Sequence, residues 1–79
     1  MKTDWEREAT RTLKAELALR GVTYASLVGR LEAIGVVETE RSIANKMSRG
    51  KFPFTFYLQC LRAVGVDQAS VRIPRLQKE

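Results

Sequence analysis

Between Thr39 and Phe52 the sequence reads TERSIANKMSRGKF. Arg41, Ser42, Asn45, Lys46 and Arg49 of this stretch have the types and spacing that suit recognition of nucleic acid. An Arg side chain can donate to O6 and N7 of guanine, and an Asn amide can pair with N6 and N7 of adenine. Lys, Ser and Arg serve phosphate oxygens equally well. From Arg41 to Lys51 there are four basic residues and no acidic one. The competing reading is an ordinary solvated basic face.

The helical period sorts these residues. With Arg41 set to zero, Ser48, Asn45, Arg49, Ser42 and Lys46 fall roughly between −20° and +140°. Ile43, Met47 and Ala44 fall roughly between 200° and 300°. One side anchors and the other is offered. Thr39 is the expected N-cap and Gly50 the stop, which gives a helix over 40–49. Glu38 and Glu40 at its start suit the helix dipole. They would also repel a phosphate brought to that end.

The elements that must hold this helix are equally marked. Thr3-Asp4-Trp5-Glu6 reads as a capping box. Trp5, Ala9, Leu13 and Leu17 recur at helical spacing, and Gly21 ends a first helix over about 4–20. Thr23 caps a second over about 24–34, with Leu27, Leu31 and Ile34 as its stripe and Val28 beside it. Gly29 lies inside it, where close approach of another helix would account for it. Pro53 suits the first turn of a fourth helix. Phe54, Tyr57 or Leu58, Leu61 and Val64 give the expected stripe of that helix, and Gly65 closes it. Asp67 can cap one further turn, or Val71 and Ile73 can alternate in an extended piece before Pro74, with fraying expected over the last residues. The expectation is one all-α domain over 1–79: a compact bundle of four to five short helices, with its core over about 4–66 and a tail over 67–79.

Composition narrows the chemistry. The 79 residues contain no His and one Cys, Cys60. A Cys/His zinc site, a disulfide framework and a His-based triad are therefore not expected. No acid–base pair converges by sequence and no phosphate-binding Gly motif appears, so no enzyme activity, cofactor, metal or small-molecule substrate is expected. Cys60 reads as a small core residue. No apolar run approaches the ~20 residues of a membrane span. The charged start MKTDWEREA has no apolar signal region, so the cytoplasm is the expected location. The net charge of +5 favours anionic partners.

Landmarks from Gly21 onward also carry a resemblance. They are Gly21-Val22-Thr23, Leu27 with Leu31, Gly35-Val36, Ile43, Arg49-Gly50-Lys51, Pro53 and Val64-Gly65-Val66. In order they resemble the lambda-repressor-like helix-turn-helix superfamily over about residues 10–67. The text from Gly21 to Gly65 also looks like a small bacterial family of domains of unknown function. Three departures stand out: a longer interval from Leu27 to Ile43, Ile43 and Met47 four apart, and Tyr24 in place of a Gln. The first resemblance implies a transcriptional regulator of double-stranded DNA, with the helix over 40–49 in the major groove. Arg41, Ser42 and Asn45 would then read bases, while Thr23, Tyr24, Lys46, Arg49 and Lys51 hold phosphates.

Phe52, Phe54, Phe56 and Tyr57 crowd into six positions. One helical face cannot take them all. Phe52 and Phe56 are the candidates for a homodimer surface, and a protein-interaction module using residues 52–57 is the alternative to DNA binding. Core packing and a stacking platform for single strands are the other readings of these rings.

Overall fold

A computed structural model describes residues 2–76. It contains four helices: α1 (Asp4–Leu19), α2 (Tyr24–Ala33), α3 (Glu40–Arg49) and α4 (Phe54–Ala63). There is no strand among the described residues. The all-α bundle expected from the sequence is the fold observed.

Each start is fixed chemically. Glu6 N–H donates to Thr3 Oγ1 (3.1 Å) and Thr3 N–H to Glu6 Oε1 (2.8 Å), completing the capping box of α1. Thr23 and Ser26 exchange the same pair of bonds at α2. Ser42 N–H donates to Thr39 Oγ1 at α3 (3.0 Å). Pro53 occupies the N-cap of α4 and offers no side-chain bond.

Three of the four ends share one device. Val22 N–H reaches back to Leu17 O, Val36 N–H to Leu31 O, and Val66 N–H to Leu61 O, each at 2.9 Å. This six-to-one bond satisfies a carbonyl that the helix leaves open, and the Gly before each Val supplies the left-handed residue. The Val then folds inward: Val22 is buried, and Val36 and Val66 pack against the core.

The core is formed by Leu13 and Leu17 of α1, Leu27 and Leu31 of α2, Ile43 and Met47 of α3, and Phe56, Tyr57, Cys60 and Leu61 of α4, with Val22 and Val64. Helix α2 packs on both α3 and α4, and α1 packs on α3. Among the described residues no helix is long and apolar enough to cross a membrane.

The structure corrects the stripe of α4. Phe54 is 70% exposed and Leu58 48%, whereas Phe56 is 2% exposed. The buried face is centred on Cys60 and Val64. A stripe that includes Cys60 must rotate toward Phe56 and away from Phe54. Phe56 is therefore a core residue and not a dimer surface. Ile34 is exposed at the C-cap of α2, and Val28 takes its place against the core. Nothing lies near Gly29, so close helix approach does not account for it. The described part of the tail is neither helix nor strand. Asp67 accepts from Arg62 Nη1 (3.3 Å) rather than opening a helical turn. Val71 lies beside Phe54 and Tyr57 of α4 and Ala9 and Thr12 of α1. The fraying expected at the end of the chain falls in part on residues 77–79, outside the described residues.

Candidate nucleic-acid interface

Helix α3 is held from beneath and at its end. Ile43 and Met47 are fully buried and fix its inner face. At its C-terminus, Met47 O accepts from Thr10 Oγ1 of α1 (2.7 Å) and from Lys2 Nζ (3.3 Å). The last carbonyls of a helix lack internal partners, so these bonds tie α3 to α1 and satisfy an orphan acceptor together. Gly50 packs directly on the Glu6 backbone, where no side chain would fit. The outer face of α3 is thus carried by a helix packed on the core and bonded to α1.

The candidate residues divide into two groups on that support. Arg41, Asn45 and Arg49 are exposed, with Ser48 among them. Their side chains make no hydrogen bond or ion pair among the described residues. Ser42 and Lys46 are engaged elsewhere. Lys46 Nζ donates to both carboxylate oxygens of Glu38 at 2.9 Å and lies 3.1 Å from Ser42 Oγ. Ser42 Oγ donates to Glu38 Oε1 (2.8 Å). The same ammonium sits 4.9 Å from the centroid of the Phe56 ring, a cation–π contact. The side chains of Lys46 and Glu38 are only 21% and 14% exposed. A charge-assisted, largely desolvated pair of this kind is not released to a phosphate cheaply. Lys46 and Ser42 are thus engaged with Glu38 and are not free for the phosphate and base contacts expected of them.

This arrangement also changes the role of Glu38. Its charge is neutralised by Lys46, so the repulsion expected at the start of α3 falls to the exposed Glu40 alone. The signal was present in the sequence: Glu38, Ser42 and Lys46 are spaced by four. Glu38 lies just outside the helix, so a reading confined to the helix passed over it.

Lys51 is exposed and 3.4 Å from Glu6 Oε2. The Thr3 backbone N–H, with Lys51 adding to it, holds the Glu6 carboxyl below its ordinary value. Lys2, Glu6, Ser48, Arg49 and Lys51 line a shallow depression of about 270 Å³ at the joint of α1 and α3. Lys2 is the functional candidate that sequence reasoning missed, because only packing brings it there.

Thr23 and Tyr24 lie elsewhere. The Thr23 hydroxyl is the cap of α2. Tyr24 is half-buried against the core, and burial raises its phenol. Both line a hollow with Lys14 and Ala18 of α1, not the depression beside Arg49. Phe52 is half-buried and meets the Phe56 ring edge-on at 5.5 Å, which leaves Phe54 as the exposed ring.

Cys60 is fully buried, and burial, with Glu38 nearby, pushes its thiol up to about 12. Such a thiol stays protonated and is not a nucleophile at neutral pH. Among the described residues no three His, Cys, Asp or Glu side chains converge to hold a metal ion.

No curated protein and no solved structure matches the chain, so the lambda-repressor-like resemblance gains no support from that side. A family model described as a domain of unknown function (DUF6471) matches residues 5–69, which takes in α2, α3, α4 and all of α1 but Asp4. The resemblance to a family of domains of unknown function holds, and the chain belongs to the DUF6471 family.

Proposed function

We propose that this domain binds duplex DNA through the outer face of α3, in the service of transcriptional regulation. One observation carries the reading. Arg41, Asn45 and Arg49 project from α3 with no side-chain partner among the described residues, while Ser42 and Lys46 of the same helix are tied to Glu38. Long cationic side chains without partners retain full capacity for phosphate and base edges. In this reading Arg41 and Asn45 face base edges, and Arg49 and Lys51 hold phosphates. Residues 34–39 between α2 and α3 make a longer connection than the usual 3–4-residue turn of a helix-turn-helix, so α3 would enter a groove at its own angle.

The test is a titration of labelled mixed-sequence duplex DNA at several salt concentrations, beside Arg41→Gln/Arg49→Gln. Binding by the wild type that weakens steeply with salt, and a slope about one unit shallower in the folded variant for the loss of the Arg49 phosphate contact, is the expected result. An absence of wild-type binding even at low salt would sink the proposal.

A second reading rests on a different surface. Phe54 and Leu58 are exposed beside Val71 and suit a protein partner or a second copy of the chain. Concentration-dependent association in sedimentation that Phe54→Ser abolishes would favour it. A monomer at every concentration, with no partner recovered, would count against it.

A further inference from the structure

Helix α1 segregates its charge around its axis. With Asp4 set to zero, Arg7, Arg11, Lys14 and Ala18 fall roughly between 280° and 340°; Asp4 borders that sector, and Glu6, Glu8 and Glu16 fall roughly between 40° and 200°. The structure forms an open trough there, about 490 Å³ in volume. Thr10, Ala15 and Ala18 line it as small residues, and Lys2, Arg7, Arg11 and Lys14 bring four cations to it. Lys2 also lines the depression that holds Arg49 and Lys51. The trough and the depression therefore meet at Lys2, with the Glu6 carboxylate, paired to Lys51, as the acidic group of the depression.

Lys2 is held by Met47 O (3.3 Å), and the other three cations are available. Lys14 has no ion-pair partner among the described residues and is exposed. Arg11 is 73% exposed and meets Glu8 only at 3.4 Å. Arg7 donates to Lys2 O at 3.0 Å and pairs with the exposed Asp4. Exposed pairs of this kind are weak and give way to a better anion. Small side chains between long cations leave room for a chain of phosphates to lie close. Arg7 and Lys14 are separated by about 10 Å along the helix axis, which spans about three base-pair steps measured along a duplex axis.

We propose that this flank of α1 is a phosphate-backbone track, continuous through Lys2 with the end of α3, along which the DNA strand flanking the α3 contact runs. The proposal rests on the DNA-binding reading above and adds to it a second contact region.

The experiment compares salt dependence of binding to a labelled duplex for the wild type, Arg11→Gln/Lys14→Gln, and Arg62→Gln/Arg72→Gln. The last pair removes the same charge from exposed positions on α4 and the tail. All three proteins are first matched for helix content and melting temperature. The α1 variant is expected to lose about two units of log–log slope, or about 60-fold in affinity near 0.1 M salt if the lines meet near 1 M. The control variant keeps the wild-type slope. Wild-type binding with an unchanged slope in the α1 variant, or an equal loss in the control, overturns the track and leaves the α3 reading standing. No binding by the wild type overturns both.

Discussion

Replacing Gly50 by Ala tests the joint on which both cationic surfaces depend. Gly50 has φ +68, and a Cβ there would stand 2.2 Å from Glu6 O and 2.7 Å from Glu6 C. Backbone atoms of a regular helix cannot swing aside as a side-chain tip can. Ordinary contact needs about 3.5 Å, so α1 and α3 would have to part by about 1 Å. That movement breaks the buried Thr10–Met47 bond of 2.7 Å. Left-handed strain costs about 1–2 kcal/mol, the lost buried bond about 1–3, and the overpacking about 1–3. The expected loss is about 4 kcal/mol or more, against a total stability of roughly 4–12 kcal/mol for a domain of this length. Gly65→Ala is the control: its φ is +86 but nothing lies within 4 Å of the added carbon, so only the strain of about 1–2 kcal/mol remains. Urea unfolding followed by circular dichroism measures both. If the two variants lose the same stability, the close approach of Gly50 to Glu6 is not what holds α3 to α1.

Lys46→Gln leaves the Glu38 carboxylate without its cation. It should destabilise by about 1–3 kcal/mol in urea unfolding, below the ~3–5 of a fully buried pair because both partners keep some exposure, and it should leave the salt slope of DNA binding unchanged. Cys60 should react with a thiol reagent at pH 8 only in unfolded protein. Its folded value near 12 lies above the ordinary 9.0, so the stability it carries is complete below about 9 and declines as pH rises toward 12. Cys60→Ala should flatten that alkaline decline. Glu6 runs the other way: its folded value is depressed, so its contribution is present above the ordinary 4.5 and lost as pH falls through the lower folded value. Glu6→Gln keeps a capping acceptor, and its melting temperature should depend less on pH across the acid range than that of the wild type.

What could be read from the sequence was what the chain does to itself locally. Thr3, Thr23 and Thr39 cap, and the Gly-Val steps at 21–22, 35–36 and 65–66 stop, because each device spans only a few residues. The failures come from choices between faces. Phe54 and Phe56 both fit a helical stripe starting at Pro53, and only the demand that Cys60 share the face decides between them. Lys46 looked like a solvent-facing cation because its angle on α3 is outward of Met47. Its long stem leans instead toward Glu38 and over Phe56, ten positions away in sequence. Thr10 of α1 is buried and bonds Met47 O across the joint, a contact that no local pattern announces. Lys2 and the trough on α1 were beyond reach for the same reason: contact between helices is set by packing, not by periodicity.

The division of labour on α3 follows from where each side chain can find a partner within the chain. Lys46 and Ser42 lie toward α4, where Glu38 and the face of Phe56 meet them, and desolvation makes that meeting strong. Arg41, Asn45 and Arg49 are exposed and find no side-chain partner among the described residues, although Arg49 borders α1 beside Lys2 and Glu6. On the DNA-binding reading proposed above, stability and recognition would fall to different residues of one short helix. Two Arg side chains and one Asn are few contacts for a stable complex, since each phosphate contact is weak at moderate salt. A small domain can add contacts by pairing with a second copy or by extending its own charged surface. The trough on α1 offers the second route within a single chain, and it does so beside the same Met47 carbonyl that holds α3 in place.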